Sequence, residues 1–340
     1  MVADEARIVI AGAGSIGCYA GACLAAAGRQ VILLTRPRVE AALRLHGLRS
    51  IDLDGRQTHL APGRFALTSD PAIAFGHADI ILIAVKSGGT LEMAGLIAGH
   101  APPQAIVVSL QNGVDNVEVL RRTLPAGTRV LAGMVPFNVV QSEPESIPLT
   151  VRRTTEGTVL IDDAEAGLAA SLSVPGLAVR AHPQMQAVLW GKLLMNLNNA
   201  ANALSDLPLA QQLSDRNWRR LLADQISEGL QVMAAHGIAP ARIQGVAPRL
   251  LPWILRLPDR LFRIIARRML AIDPRARSSM WEDLSRGRPT EIDYLQGVIV
   301  RLAGEKGLAA PLATRIIAAV KKAEGKPVRS HSVEEIRSGP

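Results

Sequence analysis

The sequence has 340 residues, 48% of them hydrophobic and 20% charged, so it is a globular chain long enough for two domains. Aromatic residues make up only 3%, which argues against a protein that stacks the bases of single-stranded nucleic acid. The net charge of +8 is compatible with nucleic acid, an acidic membrane or anionic small molecules. Of these we expect a small anion as the partner, with no nucleic acid and no membrane.

The cysteines and the N-terminus indicate the compartment. Cys18 and Cys23 lie within one predicted helix, which favours free thiols of a cytosolic protein over a disulfide framework or a metal site. Acidic residues precede the first apolar run, which leads straight into a strand, so we expect no signal peptide. The sequence also has no charge-free apolar run of about 18 residues. We therefore expect a cytoplasmic protein without a metal.

A glycine-rich loop near the N-terminus is the first candidate site. An apolar strand at residues 7–11 precedes it, and an alanine-rich helix and a second strand at residues 31–35 follow. The loop consists of Gly12, Ala13, Gly14, Ser15, Ile16 and Gly17. In GxGxxG the first glycine allows a tight turn, the second lets the backbone approach a pyrophosphate, and the third lets the helix pack on the strand. With the helix N-terminus turned to the phosphates, the pattern predicts a dinucleotide site.

The end of the second strand indicates which dinucleotide binds. NAD-binding chains usually carry an acid there to hold the ribose 2′-hydroxyl, whereas this chain has Arg36. An arginine suits the 2′-phosphate, because its guanidinium makes paired, charge-assisted hydrogen bonds to phosphate. We therefore predict NADP(H) as the cofactor. The alternative is that Arg36 is an ordinary solvated arginine.

Two later strands end in polar residues. Lys86 follows the apolar run 78–85, and Asn112 follows the apolar run 105–110. Ligands bind outside the carboxyl ends of the strands in open parallel sheets, so we expect both residues at the cofactor crevice. As alternatives, Lys86 is an exposed loop lysine, and Asn112 with the following glycine forms an ordinary turn. Residues 130–141 and 150–161 are predicted to add two strands that close the sheet.

The pattern changes after Pro183 from alternating strands and helices to helices alone. We therefore predict an α/β fold with an N-terminal Rossmann-type doubly wound sheet followed by an all-helical C-terminal domain. The predicted domains are an NADP-binding domain at residues 1–183 and a helical substrate domain at residues 184–324. Residues 325–340 are charged and non-periodic, and we predict a loose tail there.

A predicted helix at residues 188–204 opens the second domain. At 100° per residue, Lys192, Asn196 and Asn199 lie on one face of this otherwise apolar helix. Asparagine is a poor helix former, so its repeated use within a helix suggests a role other than contact with solvent. The stripe predicts a polar site that holds one cation and two amides. The alternative is an ordinary amphipathic helix that faces water.

The basic segment at residues 248–277 is broken by two prolines. Leu261, Ile264, Ile265, Met269 and Ile272 mark one helical face, and arginines mark another. We expect an ordinary helix with its arginines outside. The alternatives are a subunit contact and a helix that lies on a membrane surface.

Two short polar stretches follow. The first contains Ser278 and Ser279, and in the second Thr290 and Glu291 open a predicted helix. Either serine could be only an N-cap, and Glu291 could be only a partner of the helix dipole.

Taken together, these blocks resemble the ketopantoate reductase (2-dehydropantoate 2-reductase) family. The resemblance rests on GAGSIG at 12–17, Arg36, Lys86, QNGVDN at 111–116, WGKLLMN at 190–196, SSMWED at 278–283 and RPTEIDYLQG at 288–297. It spans residues 7 to about 322. It implies NADPH-dependent reduction of 2-dehydropantoate to (R)-pantoate, on the route to pantothenate and coenzyme A. The implied substrate is a small anionic 2-oxo acid, and we also expect a homodimer.

The resemblance assigns roles to individual residues. Lys192 is implied to be the general acid that protonates the developing alkoxide. Asn112, Asn196 and Ser279 are implied to bind the substrate. Glu291 is implied to help set the active site near the substrate hydroxyl and the cofactor. Arg36 and Lys86, together with the glycine loop and Asn112, are implied to contact the cofactor.

One position departs from the family pattern. The family usually has a second substrate asparagine eight residues after the lysine, where this chain has Ala200. Asn199 is one residue earlier and lies on nearly the same helical face as Lys192, so it is a candidate replacement. If it does not replace the missing amide, the substrate is another branched 2-oxo acid. A third hypothesis is a non-catalytic NADP(H) sensor, although a sensor has no need of Lys192, Asn196, Ser279 and Glu291.

Overall fold

The computed structural model describes residues 5–142, 148–164, 167–243, 245–266 and 274–339. The chain forms two compact units, Met1–Met185 and Gln186–Pro340. In the described residues, the first unit carries the strands and six α-helices, and the second is helical. The predicted fold class, a Rossmann-type sheet followed by a helical region, is confirmed.

The first unit contains two sheets and the helices that cover them. Its strands are β1 Arg7–Ala11, β2 Gln30–Leu34, β3 Leu48–Ile51, β4 Gln57–Leu60, β5 Ala66–Thr68, β6 Ile80–Ile83, β7 Ile106–Ser109, β8 Val130–Met134, β9 Val139–Gln141, β10 Leu149–Arg153, β11 Val159–Ile161 and β12 Val179–Ala181. Its helices are α1 Ser15–Ala26, α2 Pro37–His46, α3 Pro71–Phe75, α4 Thr90–His100, α5 Asn116–Thr123 and α6 Gly167–Leu172.

The larger sheet has the strand order β12-β11-β8-β7-β6-β1-β2-β5. The six strands from β8 to β5 are parallel, and β11 pairs antiparallel with β8. The central strands β1 and β6 are almost wholly buried, as expected for continuous apolar runs in a parallel sheet covered on both faces. The strand order reverses between β1 and β6, because β2 lies on one side of β1 and β6 on the other. In such folds ligands bind at this reversal, outside the carboxyl ends of the strands.

The smaller sheet, with the order β4-β3-β10-β9, corrects one prediction. We expected residues 130–141 and 150–161 to be two strands of the main sheet. Instead each range supplies two strands: β10 pairs with β3 of the hairpin β3–β4, and β9 pairs with β10 at the edge of this sheet. Each range is divided into two strands near Pro136 and Gly157. These two residues lie so close that a side chain on Gly157 would be 2.4 Å from the Pro136 ring.

Helix α1 packs against both sheets and joins them through a buried tyrosine. The Tyr19 hydroxyl lies 2.8 Å from Oδ1 of Asp52, just after β3, and 2.9 Å from the carbonyl oxygen of Gly176. Its ring packs edge-on against Phe137 at a centroid distance of 5.6 Å. Apolar side chains from both sheets and α1 form one continuous core.

The second unit consists of helices. They are α7 Met185–Asn196, α8 Asn198–Ser205, α9 Leu209–Ser214, α10 Arg216–Ala235, α11 Leu251–Arg256, α12 Asp259–Ile265, α13 Ser279–Ser285, α14 Gln296–Glu305, α15 Pro311–Ala323 and α16 Val333–Ser338. The longest, α10, begins after Asp215, which caps it by accepting from the Asn217 amide at 2.7 Å. No helix in the described parts of the chain is both long and apolar enough to cross a membrane.

The single helix predicted at residues 188–204 is two helices, α7 and α8, with a break at Leu197. Leu197 keeps helical backbone angles, and its carbonyl oxygen accepts a hydrogen bond from Gln296 Nε2 at 2.9 Å. A side chain that inserts into the ladder of backbone hydrogen bonds is a recognised cause of such breaks. The interruption therefore lies where α14, which is distant in sequence, contacts the helix backbone.

The C-terminal residues correct a second prediction. We expected a loose tail at residues 325–340, but residues 333–338 form helix α16. Its N-terminus is a capping box between Ser332 and Glu335, and Val333 and Ile336 are buried. Arg337 also forms an ion pair with Asp224 of α10. Two apolar anchors and a cap are enough to fix this short charged segment.

The basic segment forms two short helices, α11 and α12, as far as residue 266. A wholly buried Arg219 from α10 anchors them, since it donates to the carbonyl oxygen of Leu255 and forms a 2.6 Å ion pair with Asp259. On the predicted apolar face, Leu261, Ile264 and Ile265 are exposed. Met269 and Ile272, also assigned to that face, lie outside the described residues.

Candidate active site

The glycine loop between β1 and α1 requires glycine at two positions, one because of its backbone angle and both because a side chain has no room. Gly12 has φ +118°, and a side chain there would lie 2.8 Å from Val85. A side chain on Gly17 would lie 1.9 Å from the carbonyl oxygen of Gly12, so the helix and the loop touch directly. Gly14 is exposed and caps α1, whose first turn has no acidic side chain. The loop therefore offers an open backbone and an unopposed helix N-terminus to an anion.

Arg36 is exposed at the end of β2, where it precedes the first residue of α2. The preceding Thr35 is buried, and its hydroxyl has no hydrogen-bond partner among the described residues. A buried hydroxyl without a partner is unusual and fits a position where a ligand completes the bonding. A cation beside a free hydroxyl, next to a phosphate loop, fits the phosphorylated ribose of a dinucleotide.

Lys86 and Asn112 lie on loops that are tied together. Lys86 is exposed after β6, and Ser87 Oγ donates to the carbonyl oxygen of Asn112 at 2.7 Å. Asn116 Nδ2 donates to the same oxygen at 2.5 Å. Gly113 has φ +90°, so the turn after Asn112 depends on glycine. Two side chains therefore hold the half-buried Asn112 in place through its backbone carbonyl oxygen.

A buried polar network beneath Asn112 was not identified from the sequence. Thr90 Oγ1 donates to Asn116 Oδ1 at 2.7 Å and accepts from Gln111 Nε2 at 2.7 Å. The other end of Gln111 accepts from Ser109 Oγ at 3.1 Å. The available signal was the occurrence of amides and hydroxyls at the ends of two strands that are otherwise apolar. The network connects the loops after β6 and β7.

The sheet topology brings the cofactor candidates of the first unit to one edge. The glycine loop follows β1, Arg36 follows β2, Lys86 follows β6 and Asn112 follows β7. These four strands are adjacent and parallel in the order β7-β6-β1-β2. All the candidates therefore lie at the carboxyl edge of the sheet, around the reversal of strand order. This arrangement fits a dinucleotide laid across the edge.

Lys192 in α7 has a strongly altered acidity. Burial disfavours its charged form and lowers its pKa from 10.5 to about 8, while the carboxylate of Glu291 acts in the opposite direction and raises it. The two residues are 99 positions apart in sequence, and the fold of the second unit brings them within electrostatic reach. A lysine with a pKa near 8 remains mostly protonated at neutral pH and gives up its proton readily.

Asn196 and Asn199 share the half-buried face of α7 and α8 with Lys192, whereas Leu193, Leu194 and Leu197 are buried. Ala200, at the position where the family usually has an asparagine, is fully buried. Position 200 therefore lies off the face that Lys192 occupies, and Asn199 lies on it. The break at Leu197 does not separate Asn199 from the other two polar residues.

The two serines at the start of α13 have different roles. Ser278 is the N-cap, and its hydroxyl accepts from the Trp281 amide at 3.2 Å and donates to the carbonyl oxygen of Asn199 at 2.9 Å. Ser279 is the first residue of α13 and is exposed. The N-cap alternative thus applies to Ser278. Because Ser278 bonds directly to Asn199, the structure brings the serine pair next to the polar stripe.

Glu291 lies just before a short 3-10 helix, Ile292–Tyr294, and is half-buried. The predicted helix from Thr290 is wrong at its start, because α14 begins only at Gln296. Thr290 is buried and held by Glu324, whose Oε1 accepts from the Thr290 amide at 3.0 Å and from its hydroxyl at 2.7 Å. The backbone that carries Glu291 is therefore fixed through the preceding Thr290.

The second unit thus collects a cation, amides, a hydroxyl and a carboxylate in one region. Ammonium, amide and hydroxyl groups can bind the carboxylate of an oxo acid and stabilise negative charge on its keto oxygen. The lysine can also transfer a proton to that oxygen. The first unit has the groups that would bind a nicotinamide dinucleotide.

Comparison with known proteins agrees with this arrangement. The family models "Ketopantoate reductase PanE/ApbA" and "Ketopantoate reductase PanE/ApbA C terminal" match residues 8–165 and 184–324. The 2-dehydropantoate 2-reductase of Halobacterium salinarum is 29% identical over 327 residues, which cover 94% of this chain and 99% of that protein.

Solved structures give the same result. A PanE/ApbA family ketopantoate reductase from Ralstonia eutropha JMP134 is 31% identical, with a TM-score of 0.77 and coverage of 94% of this chain and 98% of that chain. A D-mandelate dehydrogenase in complex with NADH and anilino(oxo)acetate shares the fold, at 21% identity, a TM-score of 0.77 and the same coverage. The family predicted from the sequence is confirmed. The chain belongs to the PanE/ApbA ketopantoate reductase family, a family of nicotinamide-dependent oxidoreductases that act on small 2-oxo acids.

Proposed function

We propose that the protein catalyses the NADPH-dependent reduction of 2-dehydropantoate to (R)-pantoate, a step of pantothenate and coenzyme A biosynthesis. The observation that carries the proposal is Lys192, a half-buried lysine whose pKa is lowered to about 8 and which interacts with Glu291. Perturbed acidity of this kind is concentrated at catalytic sites. Relatives named 2-dehydropantoate 2-reductase support the choice of substrate.

In this proposal each residue has a chemical task. The nicotinamide supplies the hydride when the cofactor is bound. Lys192 stabilises the negative charge that develops on the keto oxygen and donates the proton to it. Asn196, Asn199 and Ser279 bind the polar groups of the substrate. Glu291 keeps the ammonium form of Lys192 populated and assists in setting the site near the substrate hydroxyl and the cofactor.

The cofactor is held by the first unit. The glycine loop and the N-terminus of α1 bind the pyrophosphate, and Arg36 binds the 2′-phosphate. Lys86 and Asn112 contact the cofactor from the neighbouring strands. The absence of an acid at the end of β2 supports NADPH over NADH.

The decisive experiment replaces Lys192 by alanine. We expect kcat to fall roughly 100- to 10,000-fold, because the general acid is removed, while NADPH binding, followed by fluorescence titration, is kept. Lys306→Ala, at an exposed lysine of the same unit, is the matched control and should keep full activity. A Lys192→Ala enzyme that retains most of its kcat would show that the proton comes from another group.

A second candidate function is the reduction of another branched 2-oxo acid. It is supported by the buried Ala200 at a position where the family usually has a substrate asparagine. NADPH oxidation measured with a panel of 2-oxo acids, with and without a 4-hydroxyl, distinguishes the two. Activity that is higher on an acid without the hydroxyl would reject 2-dehydropantoate as the substrate. No turnover of any 2-oxo acid would favour a non-catalytic NADP(H)-binding role.

We also infer a cytoplasmic homodimer. The free thiols of Cys18 and Cys23 suit a reducing compartment. Size-exclusion chromatography with light scattering tests the dimer, and a mass near 36 kDa would reject it.

A further inference from the structure

Two of the asparagines in α8 have no task in the proposed reaction. Asn198 and Asn202 are buried, and they lie away from the face that carries Lys192 and Asn199. Burying an amide is costly unless its hydrogen bonds are satisfied. Both side chains are hydrogen-bonded, and one of them, Asn202, connects α8 to Ser278, the N-cap of α13.

Asn202 uses all of its donors and its acceptor. Its Nδ2 donates to the carbonyl oxygen of Leu207 at 2.9 Å and lies 3.2 Å from Gln212 Oε1. Its Oδ1 accepts from the backbone amide of Ser278 at 2.8 Å. Asn202 is 0% exposed, so no water competes for these bonds. The amide therefore fixes the backbone of Ser278 relative to α8.

Asn198 belongs to the same buried cluster but does not reach Ser278. It exchanges two hydrogen bonds with Gln212, from Asn198 Nδ2 at 3.2 Å and from Gln212 Nε2 at 3.1 Å. Asn198 and Asn202 thus share one partner, Gln212, and differ in their contact with the serine.

The segment before α13 is held at further points. The Ser278 hydroxyl donates to the carbonyl oxygen of Asn199 at 2.9 Å. Asp206, which has the left-handed φ of +53°, accepts from Arg277 at 2.9 Å and from Trp281 Nε1 at 2.7 Å. The Arg277 guanidinium also stacks over the Trp281 ring at 4.2 Å. These bonds place Ser279 and Asn199 on two segments held in one fixed register.

We propose that Asn202 is a positioning residue, which through the Ser278 amide holds Ser279 in register with Asn199 so that both can bind the oxo acid. The inference rests on the proposed function, since it assigns Ser279 and Asn199 to the substrate. An apolar side chain at position 202 would leave the Ser278 amide and the Leu207 carbonyl without their partner, and the segment would shift to find others. The buried Asn202 thus provides the rigidity that the half-buried Asn199 and the exposed Ser279 need to bind a ligand together.

The test compares three variants of the full-length enzyme. Asn202→Ala should raise KM for the oxo acid roughly five- to tenfold, with a smaller change in kcat and an unchanged Kd for NADPH. Asn198→Ala loses the Gln212 contact but keeps the Ser278 contact, so it should lower thermal stability and leave KM unchanged. Asn202→Asp keeps the oxygen that accepts from Ser278, so it should restore KM even where it lowers stability.

Hydrogen exchange at the Ser278 amide provides a readout that does not depend on turnover. Protection of this amide should be lost in Asn202→Ala and kept in Asn198→Ala and Asn202→Asp. Retained protection in Asn202→Ala, or an equal rise of KM in Asn202→Ala and Asn198→Ala, would overturn the proposal. A wild-type enzyme that reduces no 2-oxo acid would instead reject the proposed function, and the exchange comparison would be unaffected.

Discussion

Replacing Glu291 by glutamine removes the carboxylate that raises the pKa of Lys192, while the size of the side chain is kept. Burial alone then acts on the lysine, so its pKa falls below the value of about 8. The protonated lysine is the proton donor, and therefore activity is lost as the pH rises through this pKa. The high-pH limb of the kcat/KM profile should move toward neutral pH in Glu291→Gln.

The size of the effect follows from the two acidities. With a pKa of about 8, the lysine is about 90% protonated at pH 7 and about 10% protonated at pH 9. Removing a nearby opposite charge lowers a lysine pKa by about 1. The protonated fraction at pH 8 then falls from about one half to about one tenth, a roughly fivefold loss, whereas at pH 6 both enzymes remain almost fully protonated.

The assay is NADPH oxidation with a saturating cofactor and a limiting oxo acid, measured from pH 6 to about pH 10, since kcat/KM reports the free enzyme. Glu305→Gln, at an exposed carboxylate of α14 paired with Arg301, is the matched control and should keep the wild-type profile. If Glu291→Gln loses activity by the same factor at every pH, the high-pH limb of the profile does not report the pKa of Lys192. The argument from the burial of Lys192 is then refuted.

Three further predictions follow from other contacts. Arg36→Ala should weaken NADPH binding far more than NADH binding, because only NADPH carries the 2′-phosphate, and equal loss for both would reject the assignment of Arg36. Asn199→Ala should raise KM for 2-dehydropantoate by the equivalent of about 1 kcal/mol and leave KM for 2-oxoisovalerate, which lacks the 4-hydroxyl, nearly unchanged; equal effects would show that Asn199 has not replaced the missing amide. Ile336→Ala should lower the free energy of unfolding by about 2 kcal/mol in urea denaturation, because its side chain is buried in the core beneath α16. Glu334→Ala in the same helix is the exposed control, and a similar loss from both would mean that burial is not the cause.

Features that depend on local chemistry could be predicted from the sequence. The glycine loop, the hairpin around Gly55 and the cap of α10 at Asp215 are set by residues close together in the chain. The stripe of Lys192, Asn196 and Asn199 also follows from helical spacing alone, and the three residues share one half-buried face.

Features that depend on distant partners could not be predicted. Strand β10 belongs to the smaller sheet because it pairs with β3, about a hundred positions away, and β9 joins that sheet by pairing with β10. The break at Leu197 coincides with a hydrogen bond from the distant Gln296, and Ser278 rather than Ser279 is the cap where it also bonds to Asn199 and Asn202. The inward direction of Asn198 and Asn202 likewise depends on Gln212. The charged composition of the C-terminal segment favoured a loose tail. The burial of Val333 and Ile336 instead holds it as helix α16.

The position of α1 between the two sheets has a consequence for the order in which the first unit unfolds. The helix begins at the glycine loop and, one turn further on, carries Tyr19, which contacts Asp52 and Gly176. Opening the smaller sheet would expose this tyrosine and free the helix that fixes the loop. The two sheets should therefore behave as one cooperative folding unit in native-state hydrogen exchange. A bound dinucleotide would then protect β3 and β10, strands that it does not touch, as strongly as it protects the loop.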